Sequence, residues 1–238
     1  MGAARTLVLM PSTTDSLSRV TAEIVECRRC PRLVAWREDV ARTRRASFAD
    51  QEYWGRPVPG FGDPKAHLLV VGLAPAAHGG NRTGRVFTGD RSGDWLFAAL
   101  WRAGYANQPT SVSADDGLRL TGAYVAAAVR CAPPANKPTP AERDNCVPYL
   151  TREMRLLADV RVILTLGHFA HDVTCRLLGV RPKPRFGHGS EAPAPSGITL
   201  LGCYHPSQQN TFTGTLTEEM MDAVLARARQ LGEPSPGG

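Results

Sequence analysis

Long hydrophobic runs are missing from this sequence of 238 residues. Its apolar stretches are only a few residues long, whereas a helix that spans a membrane needs roughly 20. The stretch 7–10 is too short for the hydrophobic region of a secretory signal, and no evident cleavage site follows it. These absences argue against a membrane protein and against an exported one. We therefore expect a cytoplasmic protein, associated with the nucleoid if it binds DNA.

Lysine is also scarce, and nearly all the cationic side chains are arginine. The 28 Lys and Arg residues outnumber the 22 Asp and Glu residues, which leaves a formal net charge of +6. Seven arginines lie between Arg28 and Arg45. A clustered basic segment favours binding to a polyanion such as a nucleic acid. It also fits the solvated face of a helix, so charge alone leaves both interpretations open.

The length and a hydrophobic content of 42% are typical of one domain with a sizeable core. We predict a flexible N-terminus over residues 1–14 and a flexible tail over residues 232–238. Residues 15–231 would then form one domain that includes the basic N-terminal segment.

Four short apolar runs, each bounded by turn residues, alternate with helical patterns. The runs cover residues 67–71, 124–129, 162–166 and 198–203, and the helical patterns cover 93–102, 140–157 and 168–178. Strands that alternate with helices predict parallel βαβ units. The predicted fold class is therefore α/β, a three-layer α/β/α domain with a central four-stranded parallel sheet.

Polar and glycine-rich segments follow all four predicted strands. They cover residues 72–90, 130–137, 167–168 and 204–214. In a parallel α/β sheet, ligands bind at the carboxyl ends of the strands. We therefore expect the chemistry of this protein at that one edge of the sheet.

The loop from Gly72 to Asp90 contains five glycines, which let the backbone approach a ligand closely. Arg82 and Arg85 in this loop suit an anionic ligand, and Phe87 offers a flat face on which a base could stack. The Asp90 carboxylate could orient a water molecule or stabilise a developing cation. Asp90 is equally well placed to be the N-cap of the following helix.

His205 follows the fourth predicted strand. A neutral imidazole at this place could donate a hydrogen bond to an oxygen that gains negative charge during a reaction. A histidine taken alone is more often a structural group, and His78 has a weaker claim to a role than His205.

Four of the six cysteines have a spacing typical of metal ligands. Cys27 and Cys30 form a C-x2-C pair, Cys131 follows a predicted strand, and Cys146 lies on the next helix. Four thiolates can hold either zinc or an iron–sulfur cluster, and the spacing does not separate the two. Buried, reduced cysteines are the alternative, which Cys175 and Cys203 fit better.

Taken together, these motifs resemble the uracil-DNA glycosylase superfamily, and specifically its type B (family 5) branch. The segment from Gly72 to Asp90 is similar to the first motif of that branch, and the segment from His205 to Gly214 is similar to its second motif. The segment from Cys131 to Pro138 resembles the one that carries the third cluster cysteine in the iron–sulfur branches. The resemblance covers most of the chain, from Cys27 to about Thr217.

The resemblance implies an enzyme of base excision repair with a structural [4Fe-4S] cluster and no nucleotide cofactor. Such an enzyme flips a damaged nucleotide out of DNA and hydrolyses its N-glycosidic bond. The implied cluster ligands are Cys27, Cys30, Cys131 and Cys146. The implied catalytic residues are Asp90, His205 and Asn136. The implied base-binding residues are Phe87, Gly72, Ala74 and His78. The implied DNA-binding residues are Arg82, Arg85, Ser207, Gln208, Gln209 and Asn210, and the polar residues 208–210 lie where relatives insert a wedge into the helix.

Two departures from strict uracil enzymes bear on specificity. Those relatives carry an acidic or amide side chain in the turn that matches Leu73 and Ala74, and an asparagine near Ala127, whereas this chain is apolar at both places. A site without these hydrogen-bonding groups rejects other bases less strongly. We therefore expect hypoxanthine, and also xanthine, as substrates beside uracil. We also expect the enzyme to act on single- and double-stranded DNA and to work as a monomer.

Two other classes of function remain open. A zinc-stabilised nucleic-acid binding module would explain the cysteines and the basic segment, but not the convergence of Asp90, His205 and Asn136. A redox enzyme is less favoured, because the glycines after Gly72 lack the spacing of a dinucleotide-binding loop.

Overall fold

The structure is a computed structural model that describes residues 15–232. The sequence predictions for residues 1–14 and 233–238 lie outside this range. The central element is a six-stranded sheet with strand order β1-β3-β2-β4-β6-β5. The strands are β1 (Phe61–Gly62), β2 (Leu68–Gly72), β3 (Ala123–Ala127), β4 (Val162–Leu166), β5 (Glu191–Pro193) and β6 (Thr199–Cys203).

The four inner strands β3, β2, β4 and β6 are parallel, which confirms the predicted parallel sheet. The predicted number of strands was wrong, because two antiparallel strands extend the sheet, β1 at one edge and β5 at the other. These edge strands have two and three residues. Such short segments, one ending in Gly62 and one in Pro193, carry no hydrophobic alternation that a sequence pattern could reveal.

The helices cover both faces of the sheet. They are α1 (Leu17–Val25), α2 (Pro31–Thr43), α3 (Gly80–Thr83), α4 (Arg91–Arg102), α5 (Pro140–Leu156), α6 (His168–Leu178), α7 (Gln208–Phe212) and α8 (Glu218–Gly232). Short 3-10 helices occur at Ala46–Phe48 and Pro134–Asn136. The short helix α3 lies inside the segment 72–90, which was predicted to be one long loop. Gly232, predicted to begin the tail, is instead the last residue of α8.

Alternation along β2 divides the hydrophobic core into two layers. Leu68 and Val70 pack with side chains of α4 and α8, whereas Leu69 and Val71 pack with side chains of α5 and α6. All five residues of β2 are buried, as expected of a parallel strand covered on both faces. The three-layer α/β/α arrangement is therefore confirmed.

No helix in the described part of the chain is both long enough and apolar enough to cross a membrane. The N-terminal segment packs against the domain through α1, whose Val20 and Ile24 lie buried beside Tyr149 of α5. This contact places the C-x2-C pair, which follows α1, close to α5.

Candidate active site

A cavity of about 440 Å³ opens at the carboxyl ends of the parallel strands. This volume is within the range typical of small-molecule sites. The three residues predicted to be catalytic all line it, although they come from three different loops. Its lining residues are Leu73, Ala74, Ala76, Phe87, Asp90, Ser92, Asn136, His205, Ser207, Gln208 and Gln209.

Phe87 forms the aromatic wall of this cavity and lies against Gly72 at the end of β2. A Cβ atom at position 72 would be 2.6 Å from Cε2 of the Phe87 ring and closer still to Cζ, so a side chain there would displace the ring. Phe87 has a φ angle of 52°, which is unusual for a residue other than glycine. Such strain persists only where the surroundings enforce it. Gly72, predicted to bind the base, therefore lies against the Phe87 ring and is not among the residues that line the cavity.

Asp90 ends the glycine-rich loop and also caps α4. One of its carboxylate oxygens accepts a hydrogen bond from the backbone N–H of Gly93 at 3.0 Å. Burial raises the pKa of Asp90, an effect that the Gly93 N–H opposes. The other oxygen lies against Gly79, where any side chain would collide with it. Asp90 is therefore the N-cap of α4 and also lines the cavity, and its catalytic role stays a prediction.

His205 faces Phe87 across the cavity, with 6.0 Å between the ring centroids and an angle of 37° between the planes. Burial lowers the pKa of His205 to about 4, so the imidazole is neutral near pH 7. Within residues 15–232, neither of its ring nitrogens has a hydrogen-bond partner. A neutral ring with free nitrogens can donate a hydrogen bond to a ligand in the cavity.

The main chain of His205 is held by the residues that follow it. Its carbonyl oxygen accepts hydrogen bonds from the N–H of Ser207 at 2.7 Å and from the side-chain amide of Asn210 at 2.8 Å. Asn210 was predicted to contact DNA, but the structure turns its amide inward and keeps it out of the cavity lining. Asn210 therefore positions His205 in this structure.

Asn136 reaches the cavity from the loop after β3. It is exposed, and its side-chain amide makes no hydrogen bond within the described residues. Asn136 has a φ angle of 56° and Ala135 has one of 50°, so two adjacent residues other than glycine adopt the left-handed region. This conformation positions the amide at the cavity rim with its donor and acceptor groups available.

Helix α7 forms another part of the cavity rim. Ser207 is its N-cap and accepts a hydrogen bond from the N–H of Asn210 at 3.3 Å. Gln208 and Gln209 are exposed and line the cavity, as expected of residues that meet DNA. Phe212, which the sequence analysis did not single out, is 68% exposed at the end of the same helix.

Arg82, predicted to bind DNA, is buried and donates its hydrogen bonds inside the protein. Its guanidinium contacts the carbonyl oxygens of His78 and Gly89, both at 2.8 Å, and the Gln51 side chain at 2.6 Å. It also lies 4.0 Å from the centroid of the Phe48 ring. The observed role of Arg82 is to hold the glycine-rich loop in shape.

Arg85, also predicted to bind DNA, forms a buried ion pair with Asp116 at 2.7 Å. It donates further hydrogen bonds to the hydroxyls of Thr88 and Ser111 at 3.0 and 2.8 Å. Burial acts to raise the pKa of Asp116, but hydrogen bonds from Arg85 and from backbone N–H groups lower it to about 2. Arg85 is therefore buried, with its guanidinium directed at partners within the protein.

Two predicted base-binding residues differ in their placement. Ala74 lines the cavity, whereas His78 does not and instead hydrogen-bonds through Nδ1 to the Tyr53 hydroxyl at 3.0 Å. Burial, together with the positive charges of Arg45 and Arg82, lowers the pKa of His78. His78 lines a second depression beside the cavity.

The four predicted metal ligands meet in a small enclosed cavity between α1, α2, β3 and α5. Cys27, Cys30, Cys131 and Cys146 all line it, and no described cysteine forms a disulfide. Three guanidinium groups, those of Arg29, Arg37 and Arg130, line the same cavity. No three His, Cys, Asp or Glu side chains between residues 15 and 232 form a group that could hold a metal ion as placed.

Electrostatics around the thiols suit a ligand set that carries negative charge. Arg37 is buried and donates a hydrogen bond to Sγ of Cys131 at 2.9 Å, and Asn145 donates one to Sγ of Cys30 at 3.3 Å. Burial, which outweighs the opposing effect of Arg37, raises the pKa of the Cys131 thiol to about 12, so binding a metal there would have to release a proton. The Nε atom of Arg37 is buried without a partner. The chemistry of the four thiols and the surrounding cations suits a metal–thiolate group, although the sulfur atoms as placed do not form a ligand set for one ion.

Comparisons with known proteins agree with this geometry. A model of the Uracil DNA glycosylase superfamily matches residues 59–229. A type-5 uracil-DNA glycosylase of Mycobacterium tuberculosis is 58% identical over 219 residues, which cover 91% of this chain and 82% of that protein. One from Thermus thermophilus is 52% identical over 209 residues (87% of this chain, 94% of that protein), and a type-4 uracil-DNA glycosylase of Archaeoglobus fulgidus is 31% identical over 157 residues (66% and 62%). The chain therefore belongs to the uracil DNA glycosylase superfamily.

Proposed function

We propose that this protein is a monofunctional DNA glycosylase that removes uracil from DNA and leaves an abasic site. The observation that carries the proposal is the cavity in which Asp90, Asn136 and His205 surround a space beside the Phe87 ring. The type-5 uracil-DNA glycosylases at 52–58% identity support it. A flipped uracil would lie in this cavity with Phe87 replacing part of its lost stacking.

The reaction needs charge stabilisation at two places. When the bond between the sugar C1′ and the base nitrogen breaks, its electron pair stays with the base and the sugar becomes cationic. The neutral His205 imidazole would donate a hydrogen bond to the base oxygen that gains negative charge. Asp90 would hold the attacking water or stabilise the cationic sugar, and Asn136 would contact the base or the water.

We further propose that the substrate range extends to hypoxanthine and xanthine. Leu73 and Ala74 form an apolar part of the cavity wall, so this wall makes no hydrogen bond that would select one base edge. Ala127 is buried at the end of β3, beside Gly72 in the sheet and outside the cavity lining. Oligonucleotides that each contain one lesion test this breadth, and cleavage of uracil alone would contradict it.

We propose a [4Fe-4S] cluster on Cys27, Cys30, Cys131 and Cys146. The resemblance supports it, and so does the meeting of these four cysteines in one cavity. The cluster would tie the N-terminal segment to α5 and would supply no step of the hydrolysis. Iron and sulfide analysis tests this assignment. One zinc per chain with no iron would instead support the zinc-stabilised binding module.

The rim helix α7 is proposed to enter the DNA. Gln208 and Gln209 have exposed side chains at the cavity mouth, so they could fill the gap left by the flipped nucleotide. Replacing Gln209 with glycine should lower activity on duplex DNA more than on single strands. Equal losses on both substrates would contradict a wedge.

The test of the proposed function is excision from duplexes that contain uracil or hypoxanthine, labelled at the 5′ end and developed with alkali. The purified chain should yield abasic product from both, and Asp90→Asn and His205→Asn should each lose it. We propose that the protein acts in the cytoplasm and that its active form is a monomer. The mass of the protein and of its DNA complex in solution would test the monomeric state. If neither lesion is excised, the protein is not this enzyme.

A further inference from the structure

A second depression, of about 560 Å³, adjoins the cavity and is called the flanking groove here. Four residues, Ala76, Asp90, Asn136 and Gln208, line both spaces. The two spaces therefore adjoin, and a ligand held in the cavity would lie next to the flanking groove. This continuity matters because a flipped nucleotide stays joined to its neighbours through its phosphates.

The outer wall of the flanking groove comes from the N-terminal segment. Trp36 on α2 lines it, and 36% of this side chain is exposed. The wall lies outside residues 59–229, the part that matches the superfamily model. Nothing in the mechanism proposed above uses Trp36. An exposed indole beside a nucleotide cavity is a platform on which a base can stack.

Two cations line the same groove as this indole. Arg45 and Arg91 both line the flanking groove and are both exposed. Neither guanidinium forms an ion pair of 4 Å or less with a carboxylate of residues 15–232. Burial raises the pKa of Asp94, an effect that the charge of Arg91 opposes. Arg91 lies over the Phe212 ring, 4.5 Å from its centroid, and donates a hydrogen bond to Thr211 at 3.2 Å. Among the lining residues, Asp90 is the one carboxylate, so the groove as a whole favours an anion.

The combination of a flat aromatic surface with exposed guanidinium groups matches the chemistry of a single nucleic-acid strand. Such a strand presents a base and a phosphate at each step. An acidic peptide would match the cations but would leave the indole without a specific partner. Continuity with the cavity also favours the strand that carries the damaged base.

We propose that the flanking groove binds the nucleotide next to the flipped one in the same strand. Its base would stack on Trp36, and Arg45 and Arg91 would hold the adjoining phosphates. This subsite rests on the proposed function, because it assumes that a flipped nucleotide occupies the cavity. It would let the enzyme hold a single strand without a complementary strand.

The test uses uracil oligonucleotides in which one neighbour of the uracil carries no base, with a tetrahydrofuran residue on either the 5′ or the 3′ side. The native protein should lose about tenfold in kcat/KM when one particular neighbour lacks its base. Trp36→Ala should show the same loss on the intact oligonucleotide and no further loss when that neighbour is missing. Trp36→Phe should retain most of the activity.

Matched controls separate the groove from general effects. Trp101 is 48% exposed and lies at the other end of α4 from Asp90, outside the groove, so Trp101→Ala should change nothing. Arg45→Ala should reduce the slope of log affinity against log salt by about one. Arg161→Ala removes the same charge at the opposite edge of the sheet and should leave that slope unchanged. Melting temperatures establish that each variant is folded.

Three outcomes can be distinguished. If Trp36→Ala equals the native protein on all oligonucleotides, the groove is not a DNA subsite, and an acidic protein partner becomes the better occupant. If Trp36→Ala loses activity equally with and without the neighbouring base, the indole does not stack on that base, and the proposal is overturned. If the native protein excises uracil from none of the substrates, the proposed function itself has failed.

Discussion

One carboxylate oxygen of Asp90 accepts a hydrogen bond from the backbone N–H of Gly93 at 3.0 Å, which makes a residue of the cavity the N-cap of α4. Gly93 has no space for a side chain, because a Cβ there would collide with the carbonyl oxygen of Phe87. The capping bond therefore fixes Asp90 and the backbone of Phe87 relative to each other. The positions of Asp90 and Phe87, which both line the cavity, therefore depend on the first turn of α4.

The double role of Asp90 predicts a difference between two substitutions. Asparagine caps a helix about as well as aspartate, so Asp90→Asn should keep the stability and lose the charge. Asp90→Ala should lose excision and also about 1 kcal/mol of stability, because Gly93 loses its acceptor. Urea unfolding and uracil excision measured on both variants test this. Equal stability of the two variants would show that the cap contributes nothing.

The contact between Gly72 and Phe87 predicts that a single methyl group can disturb the cavity. Gly72→Ala should push the Phe87 ring toward His205 and cost about 1–3 kcal/mol through overpacking. Excision should fall by more than tenfold, since the ring would enter the space of the flipped base. Gly187→Ala is the control, because a Cβ there meets Ser190 at an ordinary 3.9 Å. Normal excision by Gly72→Ala would contradict the support role of Gly72.

The sequence predicted the four parallel strands and the meeting of Asp90, Asn136 and His205 because both follow from short-range patterns. Buried parallel strands are continuous apolar runs, and the residues that follow them share one edge of the sheet. The four inner strands lie within one or two residues of the predicted bounds. The roles assigned to the three residues remain predictions.

The direction of the loop cations could not be predicted in the same way. Arg85 turns inward because Asp116, 31 residues later in the chain, lies beside it, and this partner is brought close only by the fold. Arg82 turns inward toward the carbonyl oxygens of His78 and Gly89, which come close to each other only when the loop is folded. An arginine in a glycine-rich loop indicates an anion, but here Arg85 pairs with a carboxylate of the protein and Arg82 with neutral carbonyl and amide oxygens.

The low pKa of His205 predicts a pH dependence of stability. In the unfolded chain this group takes up a proton near its ordinary pKa of 6.5, whereas the folded protein resists protonation down to about pH 4. Stability contributed by the neutral ring is therefore present above pH 6.5 and is lost as the pH falls toward 4. The loss should approach about 3 kcal/mol.

His205→Asn should remove this part of the pH dependence. The difference in unfolding free energy between the native protein and the variant should shrink or reverse between about pH 7 and pH 4.5, in urea unfolding series at constant ionic strength. His188→Asn provides a comparison, because burial also lowers the pKa of His188 but its ring lies away from the cavity. Parallel pH curves for native and His205→Asn proteins would show that His205 is not held neutral by burial.

The ion pair of Arg130 and Glu153 predicts a large stability effect close to the cysteine cavity. Both side chains are 1% exposed, and Arg130 Nη1 donates to Glu153 at 3.1 Å. Glu153→Gln keeps the shape but removes the charge that compensates a buried guanidinium, so unfolding should become easier by about 3–5 kcal/mol. Glu191→Gln, which breaks the solvent-exposed pair with Arg227, should cost under about 1 kcal/mol. Equal stability of the two variants would show that the buried pair contributes no more than the exposed one.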